Sequence, residues 1–198
     1  MTRITDKMLH AVAPGVFYTN QELVSVDDTI LTLLKKEAAA SPLKRARLCA
    51  HPGSDALQQD MLIVSHKDTY VPPHRHIDKT ETFLVLEGHA DTILFDENGN
   101  VTDILPMGPH NSGRLFFYRM PQQQYHSLLI HDEWLIFVEN TIGPFDPEMT
   151  ENAPWAPLPY AIEEGKVYKR EMERAMQEWA SAHKNLPGNG SPTSQLLK

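Results

Sequence analysis

Cysteine is nearly absent from this chain: a single one, Cys49, stands among 198 residues. One thiol excludes an internal disulfide and suits a reducing compartment. Positive charge is also scarce, with 18 basic against 26 acidic residues and a formal net charge of -8. That balance argues against a sequence-independent nucleic-acid binder, which normally needs a basic face, while local arginines could still meet an anionic small molecule. No stretch approaches the roughly 18 consecutive apolar residues of a membrane span, and the opening MTRITDKMLHAVAPG has no continuous apolar core of a secretory signal. The expected location is cytoplasmic. Hydrophobic residues make up 41% of the chain, enough for one domain that buries roughly 70% of its unfolded surface, and a second full domain would be cramped.

Against this background one segment stands out, His74-Arg-His-Ile-Asp-Lys-Thr-Glu81 with Gly88 beyond it, which reads HxHxxxxExxxxxxG. In an extended strand, side chains two apart point to the same side, so His74 and His76 can offer imidazole nitrogens to one ion. Glu81 adds a carboxylate. A fourth donor, His126, comes 45 residues after Glu81 in Pro121-Gln-Gln-Gln-Tyr-His126, where a proline-led turn feeds a strand. An isolated HxH reads as two exposed strand histidines; here the other elements fall where one site needs them. Three imidazoles and a carboxylate suit one divalent transition metal, and an octahedral shell leaves two positions for water or substrate. Iron, manganese, nickel, cobalt, copper and zinc all accept this set, and the ligands do not choose among them.

The two motifs resemble those of the cupin superfamily, whose first has the HxHxxxxExxxxxxG spacing and whose second has a proline five residues before a histidine. Gln123 stands where many cupins have glycine and Ile130 where many have asparagine, departures that bear on the turn and not on the ligand. Over about residues 43 to 160 the chain resembles more closely the bacterial WbuC family of cupin-fold metalloproteins. The resemblance is carried by Arg45, Arg47, Cys49 and His51 in KRARLCAH, by MLIV at 61 to 64, by PHRHIDKTETFLVLEG at 73 to 88, and by GPFDPEMTENAPWAP at 143 to 157. It implies a metal-binding cupin linked to bacterial surface polysaccharide (O-antigen) synthesis, and a homodimer.

The rest of the chain divides by pattern. Ser25-Val-Asp-Asp28 precedes Ile30, Leu31, Leu33, Leu34 and Ala38, a capping-type start and helical spacing that predict a helix over about 26 to 40, closed by Pro42. From 45 to 141 short runs follow one another: RLCA, MLIVS, ETFLVLE, ADTILF, RLFFYRM, HSLLI and WLIFVEN. Repeated short strands mean a sandwich or barrel, and Asn98-Gly99 marks the clearest hairpin turn. Prolines 144, 147, 154, 157 and 159 make residues 143 to 159 an irregular strap. Tyr168, Met172, Ala175, Met176 and Trp179 then predict an amphipathic helix over about 163 to 183, packed on its own barrel or against a second subunit. The expected fold is mostly β: a cupin-like jelly-roll barrel over 43–160, behind an N-terminal helical segment (1–42) and ahead of a C-terminal helix (161–184) and a flexible tail (185–198).

Several residues outside the quartet could carry chemistry. Arg45, Arg47, Cys49 and His51 alternate with Lys44, Ala46, Leu48 and Ala50, which puts two guanidiniums, a thiol and an imidazole on one face of a strand. That face either lines the barrel or is an exposed edge using charge against aggregation. Inside, Arg47 can grip a carboxylate or phosphate, and His51 can act as acid or base near neutral pH. Lys79 is a cation at a turn, solvated or reaching over the cavity. Tyr125 and Tyr70 are proton donors at the mouth or packing residues with a wet hydroxyl, and Glu139 is a partner that could orient a ligand histidine. Cys49 is given no catalytic role, since a lone cysteine in an apolar strand is most often a small buried hydrophobe.

Three functions fit these residues. The first is metal-assisted proton transfer on a sugar, sugar nucleotide or related anionic metabolite, with Arg47, His51, Lys79 and Tyr125 as the catalytic candidates. The second is dioxygen-dependent cleavage or oxidation at the same metal. The third is a non-catalytic module that binds a small molecule through its ion, since function lives in the site and not in the fold.

Overall fold

A computed structural model of the chain describes residues 6–183, so the tail expected at 185–198 lies outside the described residues. Twelve strands and two long helices make up the described part: β1 (Leu9–Ala13), β2 (Val16–Thr19), α1 (Asp28–Ala40), β3 (Arg45–Cys49), β4 (Gln58–His66), β5 (His74–His76), β6 (Glu81–Glu87), β7 (Ala90–Phe95), β8 (Val101–Met107), β9 (Phe117–Met120), β10 (Tyr125–Ile130), β11 (Trp134–Ile142), β12 (Thr150–Asn152) and α2 (Ile162–His183). They form a seven-stranded sheet in the order β1-β2-β3-β4-β11-β6-β9 and a five-stranded sheet in the order β12-β5-β10-β7-β8. From β4 onward the chain steps between the two sheets at every connection except the β7–β8 hairpin, so most strands adjacent in sequence face each other across the interior. This is the mostly β, cupin-like jelly-roll arrangement expected above, flanked by an N-terminal and a C-terminal helix.

The runs MLIV on β4 and LLI on β10 are apolar without alternation because both of their faces are covered, whereas the edge strand β9 leaves Phe117 half exposed. On β4, Met61 and Ile63 join Phe83, Val85, Leu128, Ile130, Leu135 and Phe137 between the sheets. Leu62 and Val64 point the other way and pack with Ala46, Leu48 and Ile136 under Ile30, Leu34 and Ala38 of α1. Helix α1 starts two residues later than its periodicity suggested, because the cap is Asp27, whose carboxylate accepts from the Thr29 and Ile30 amides at 3.0 and 3.4 Å. Helix α2 covers the outer face of the second sheet, where Met172 buries against Ile93, Phe95, Tyr125, Leu129 and Ala153. Its apolar stripe therefore packs on its own barrel.

Two segments differ from the pattern reading. Residues 9–19, read as part of a helical segment, form the β1–β2 hairpin, and β2 joins β3 in parallel. The proline-rich strap is irregular for most of its length, yet its proline-free stretch forms β12, which pairs Thr150 with His76 and Asn152 with His74. The Asn98-Gly99 turn is where it was placed: Asp96 accepts from the Asn98 and Asn100 amides at 2.9 and 2.8 Å, and Gly99 takes φ +84°. Gly88 closes the corner after β6 at φ +85°, and a Cβ there would collide with the Trp134 carbonyl oxygen. This explains the glycine at the end of the first motif.

Leu34 has no exposed surface and sits at the centre of the layer between α1 and the sheet. Truncation to alanine leaves a cavity that a rigid sheet cannot fill, so Leu34→Ala lowers the unfolding free energy by about 3 kcal/mol. Urea denaturation followed by circular dichroism reads the loss as a lower midpoint at unchanged slope.

Candidate metal centre

The quartet assembles across the gap between the sheets. His74 and His76 lie on β5, and β10 places His126 directly opposite His74 in register, while Glu81 reaches in from β6 of the facing sheet. Ligand atoms of His74, His76, Glu81 and His126 all lie within 4.8 Å of one another. The Glu81 carboxylate bridges two of the rings, with Oε2 at 2.8 Å from His76 Nε2 and Oε1 at 3.1 Å from His126 Nε2.

The surroundings of the rings decide which nitrogen is free. His74 Nδ1 lies 2.9 Å from the Pro72 carbonyl and His126 Nδ1 lies 2.9 Å from the Gln124 carbonyl. A carbonyl can only accept, so each Nδ1 carries its hydrogen and each Nε2 keeps its lone pair for the centre. His76 Nδ1 has the Thr150 hydroxyl at 3.4 Å, a weaker version of the same support from β12. Three oriented Nε2 atoms and a carboxylate fit a divalent transition metal, and such an ion would be held by these four residues.

Charge follows from burial. Glu81, 4% exposed, should be hard to ionise. Burial does push its carboxyl up, but His126 and His76 outweigh it and hold it well below the usual range. Burial pulls His126 down, and the Glu81 charge and hydrogen bond more than reverse this, so His126 is held above its ordinary value. His74 is pushed down to about 3 by burial and by the neighbouring imidazoles, with Glu81 opposing, and stays neutral.

The centre opens through His76 onto a cavity of about 350 Å³ whose wall also includes Tyr18, Arg47, His51, Lys79 and Glu139. A larger hollow of about 520 Å³ lies apart from the quartet, between α2 and Pro42 to Lys44. Strand β3 is flanked by both β2 and β4, so the face bearing Arg47, Cys49 and His51 is an inner wall and not an exposed edge. Arg47 reaches Met61 Sδ at 3.7 Å. His51 is held at Nδ1 by Asp60 at 3.0 Å and meets the Tyr18 ring edge-on at 5.3 Å. Burial lowers its pKa, which leaves a neutral imidazole. Lys79 is buried in the wall, its pKa lowered by burial against the pull of Glu139, Glu81 and Asp146. Cys49 is buried among apolar side chains, and burial pushes its thiol up.

Not every candidate comes to this place. Tyr125 lies on the opposite face of β10 from His126, where its hydroxyl donates to Glu151 at 2.7 Å, its edge meets Trp155 at 4.7 Å, and the Arg75 guanidinium stacks over it at 4.5 Å. Arg75 also grips Glu151 at 3.1 to 3.3 Å, so Tyr125 ties β5, β10 and β12 together from outside and is a positioning group. Tyr70 is turned under α2, donating to the Pro157 carbonyl at 2.9 Å. Glu139 faces inward on β11 without a hydrogen bond to a ligand histidine. Burial and the Glu81 charge raise it to about 7, against Arg47 and Arg45. The pattern reading passed over Tyr18 and Thr150. Pro14-Gly15 between the apolar runs AVA and VFY was the available signal for the hairpin that carries Tyr18.

Among known proteins, the family model that matches is a domain of unknown function (DUF6016), over residues 26–107, less than half of the chain. No curated protein matches the sequence. Similar solved structures include a variant of oxalate decarboxylase OxdC from Bacillus subtilis, at 18% identity and TM-score 0.39 over 49% of this chain and 24% of that one. Another is the capsular polysaccharide assembling protein CapF from Staphylococcus aureus, at 20% identity and TM-score 0.40 over 50% and 27%. The chain thus spans about a quarter of the length of these proteins, and at such similarity nothing about their chemistry carries over. Fold and quartet together define a cupin-fold protein with a candidate metal site.

Gln123, in the place where many cupins have glycine, takes φ +65°, and its amide donates to the His76 carbonyl at 2.9 Å. The turn is preserved at the cost of a left-handed residue, so Gln123→Gly should raise stability by about 1 kcal/mol in thermal denaturation, with metal content unchanged. For the centre itself, plasma mass spectrometry should find one divalent ion per chain in the wild type and almost none in His126→Ala. In the metal-free protein His126 binds its proton more tightly than a free imidazole, and the ion must displace it. Apparent metal affinity should therefore fall as pH drops through a range above that of an ordinary imidazole, with more protons released on its acid side than on its alkaline side, read by calorimetry in buffers of different ionisation enthalpy.

Proposed function

We propose that this chain is a metal-binding cupin of the WbuC type, acting on a sugar, sugar nucleotide or related anionic metabolite in bacterial surface polysaccharide (O-antigen) biosynthesis, by metal-assisted proton transfer. The observation that carries the reading is the buried His74, His76, Glu81 and His126 quartet opening onto a cavity that also presents Arg47, His51 and Lys79. The residue strings shared with the WbuC family support the link to surface polysaccharides, and the homodimer belongs to the same reading.

A divalent metal bound there supplies a Lewis acid that polarises an oxygen of the ligand. The protein's own groups do the rest. Arg47 offers a planar fork to an anionic group and Lys79 adds a second cation. His51, neutral and fixed by Asp60, can take up a proton or pass one on. Arg47 stands on β3, His51 just beyond its end and Lys79 in the short connection from β5 to β6, and the small cavity limits the water around them.

Incubation of the metal-loaded protein with sugar phosphates and sugar nucleotides in deuterated water should place deuterium on a carbon next to an oxygen-bearing carbon, seen by mass spectrometry and proton NMR. His126→Ala and chelation should both abolish it. Oxygen uptake with iron-loaded protein and no deuterium incorporation would transfer the site to an oxidative reaction, and a ligand bound through His76 but recovered unaltered would make the chain a binding module.

A further inference from the structure

The cavity wall has unmade hydrogen bonds that the metal does not explain. His51 Nδ1 lies 3.0 Å from both the carbonyl oxygen and the amide of Asp60; the carbonyl also accepts from the Ala50 amide at 2.8 Å, while the Asp60 amide, which can only donate, points at Nδ1. Nδ1 is therefore the acceptor, and the neutral ring carries its hydrogen on Nε2. That Nε2 is buried in a residue only 4% exposed and has no partner among the described residues. Arg47 Nε is buried without a partner as well. Buried donors are almost always satisfied, and both of these belong to the wall of one cavity. Lys79 brings a third donor group to that wall. Among the described residues lining the cavity Glu139 is the only carboxylate, outnumbered by Arg47 and Lys79. Three donors and an excess of positive charge ask for an oxygen-rich anion.

The same cavity has a second, opposite character. Val12, Ile142 and Phe145 line it too, and they are 57%, 56% and 55% exposed. Large apolar side chains gathered at one opening mark a contact that is made with something else. At about 350 Å³ the cavity lies at the small end of ligand pockets, so a ligand that fills the polar floor must extend past this rim.

We propose that the cavity takes an oxyanion, phosphate or carboxylate, joined to an apolar or aromatic group. The oxyanion accepts from Arg47 and His51 beside Lys79, and the apolar group rests on Val12, Ile142 and Phe145. This rests on the reading of the cavity as the ligand site and narrows the ligand class: a bare sugar phosphate fills only the polar half.

Titration calorimetry on the full chain, metal-loaded and after chelation, tests it with two pairs of probes, inorganic phosphate against phenyl phosphate and acetate against phenylacetate. The phenyl-bearing member of the preferred pair binds about tenfold more tightly, and the tighter pair identifies the oxyanion. Phe145→Ser and Ile142→Ser, at half-exposed positions that folding tolerates, erase that preference and leave the bare anion unchanged. Arg47→Gln weakens bare and substituted anions alike by about tenfold. Equal affinities within both pairs overturn the proposal, as does a preference indifferent to both rim substitutions. Binding that ignores Arg47→Gln, or that vanishes on chelation, reports anions on the metal and overturns it too. Because these are binding readouts, missing deuterium incorporation beside an intact phenyl preference would sink the proton-transfer reading alone, and the reverse result would sink this inference alone.

Discussion

The structure turns on one carboxylate. Glu81 sits almost without solvent between two β-sheets, and an ion of that size cannot stay charged in such a place without opposite charge and hydrogen bonds around it. His76 and His126 supply both, at 2.8 and 3.1 Å. Because those rings come from the facing sheet, the pairing also fixes how the two layers stand over each other at this end of the interior. The apolar remainder of the core is ordinary packing of Met, Ile, Phe, Val and Leu, which sets distance but not register. The polar centre adds the register, and its four groups then share a spot into which a cation fits.

That centre was legible because strands have a period of two. His74 and His76 had to share a face, and the spacing to Glu81 and His126 resembles the motif pair of cupins. The same periodicity also separates Tyr125 from its neighbour: if His126 looks inward, the residue before it looks out, and Tyr125 does so, bracing β5 through Arg75 and Glu151. For β3 the alternation was legible and the environment was not. A strand with Arg45, Arg47 and His51 on one side reads equally as an edge or an inner wall until its neighbours are known, and only β2, paired to it in parallel, decides.

The β1–β2 hairpin was hidden for a different reason. Four of the five residues of β1 are exposed, so no alternation of apolar and polar residues marks it, and a nearby helix with a strong apolar stripe dominates the region. β12 was hidden within proline-rich sequence, its three residues too few to show any period. Both contribute to the site, through Tyr18 on β2 and Thr150 on β12. Pattern therefore picked out the four residues that cluster and left out part of the frame around them.

The candidate metal ligands lie between residues 74 and 126, while the apolar rim of the cavity is drawn from residue 12 on one side of them in the chain and residues 142 and 145 on the other. None of the rim side chains belongs to the quartet, and none belongs to the buried core. Inheritance can act on the two separately: exchange of Val12 or Phe145 would reshape the mouth of the cavity and leave the geometry of the buried quartet as it was.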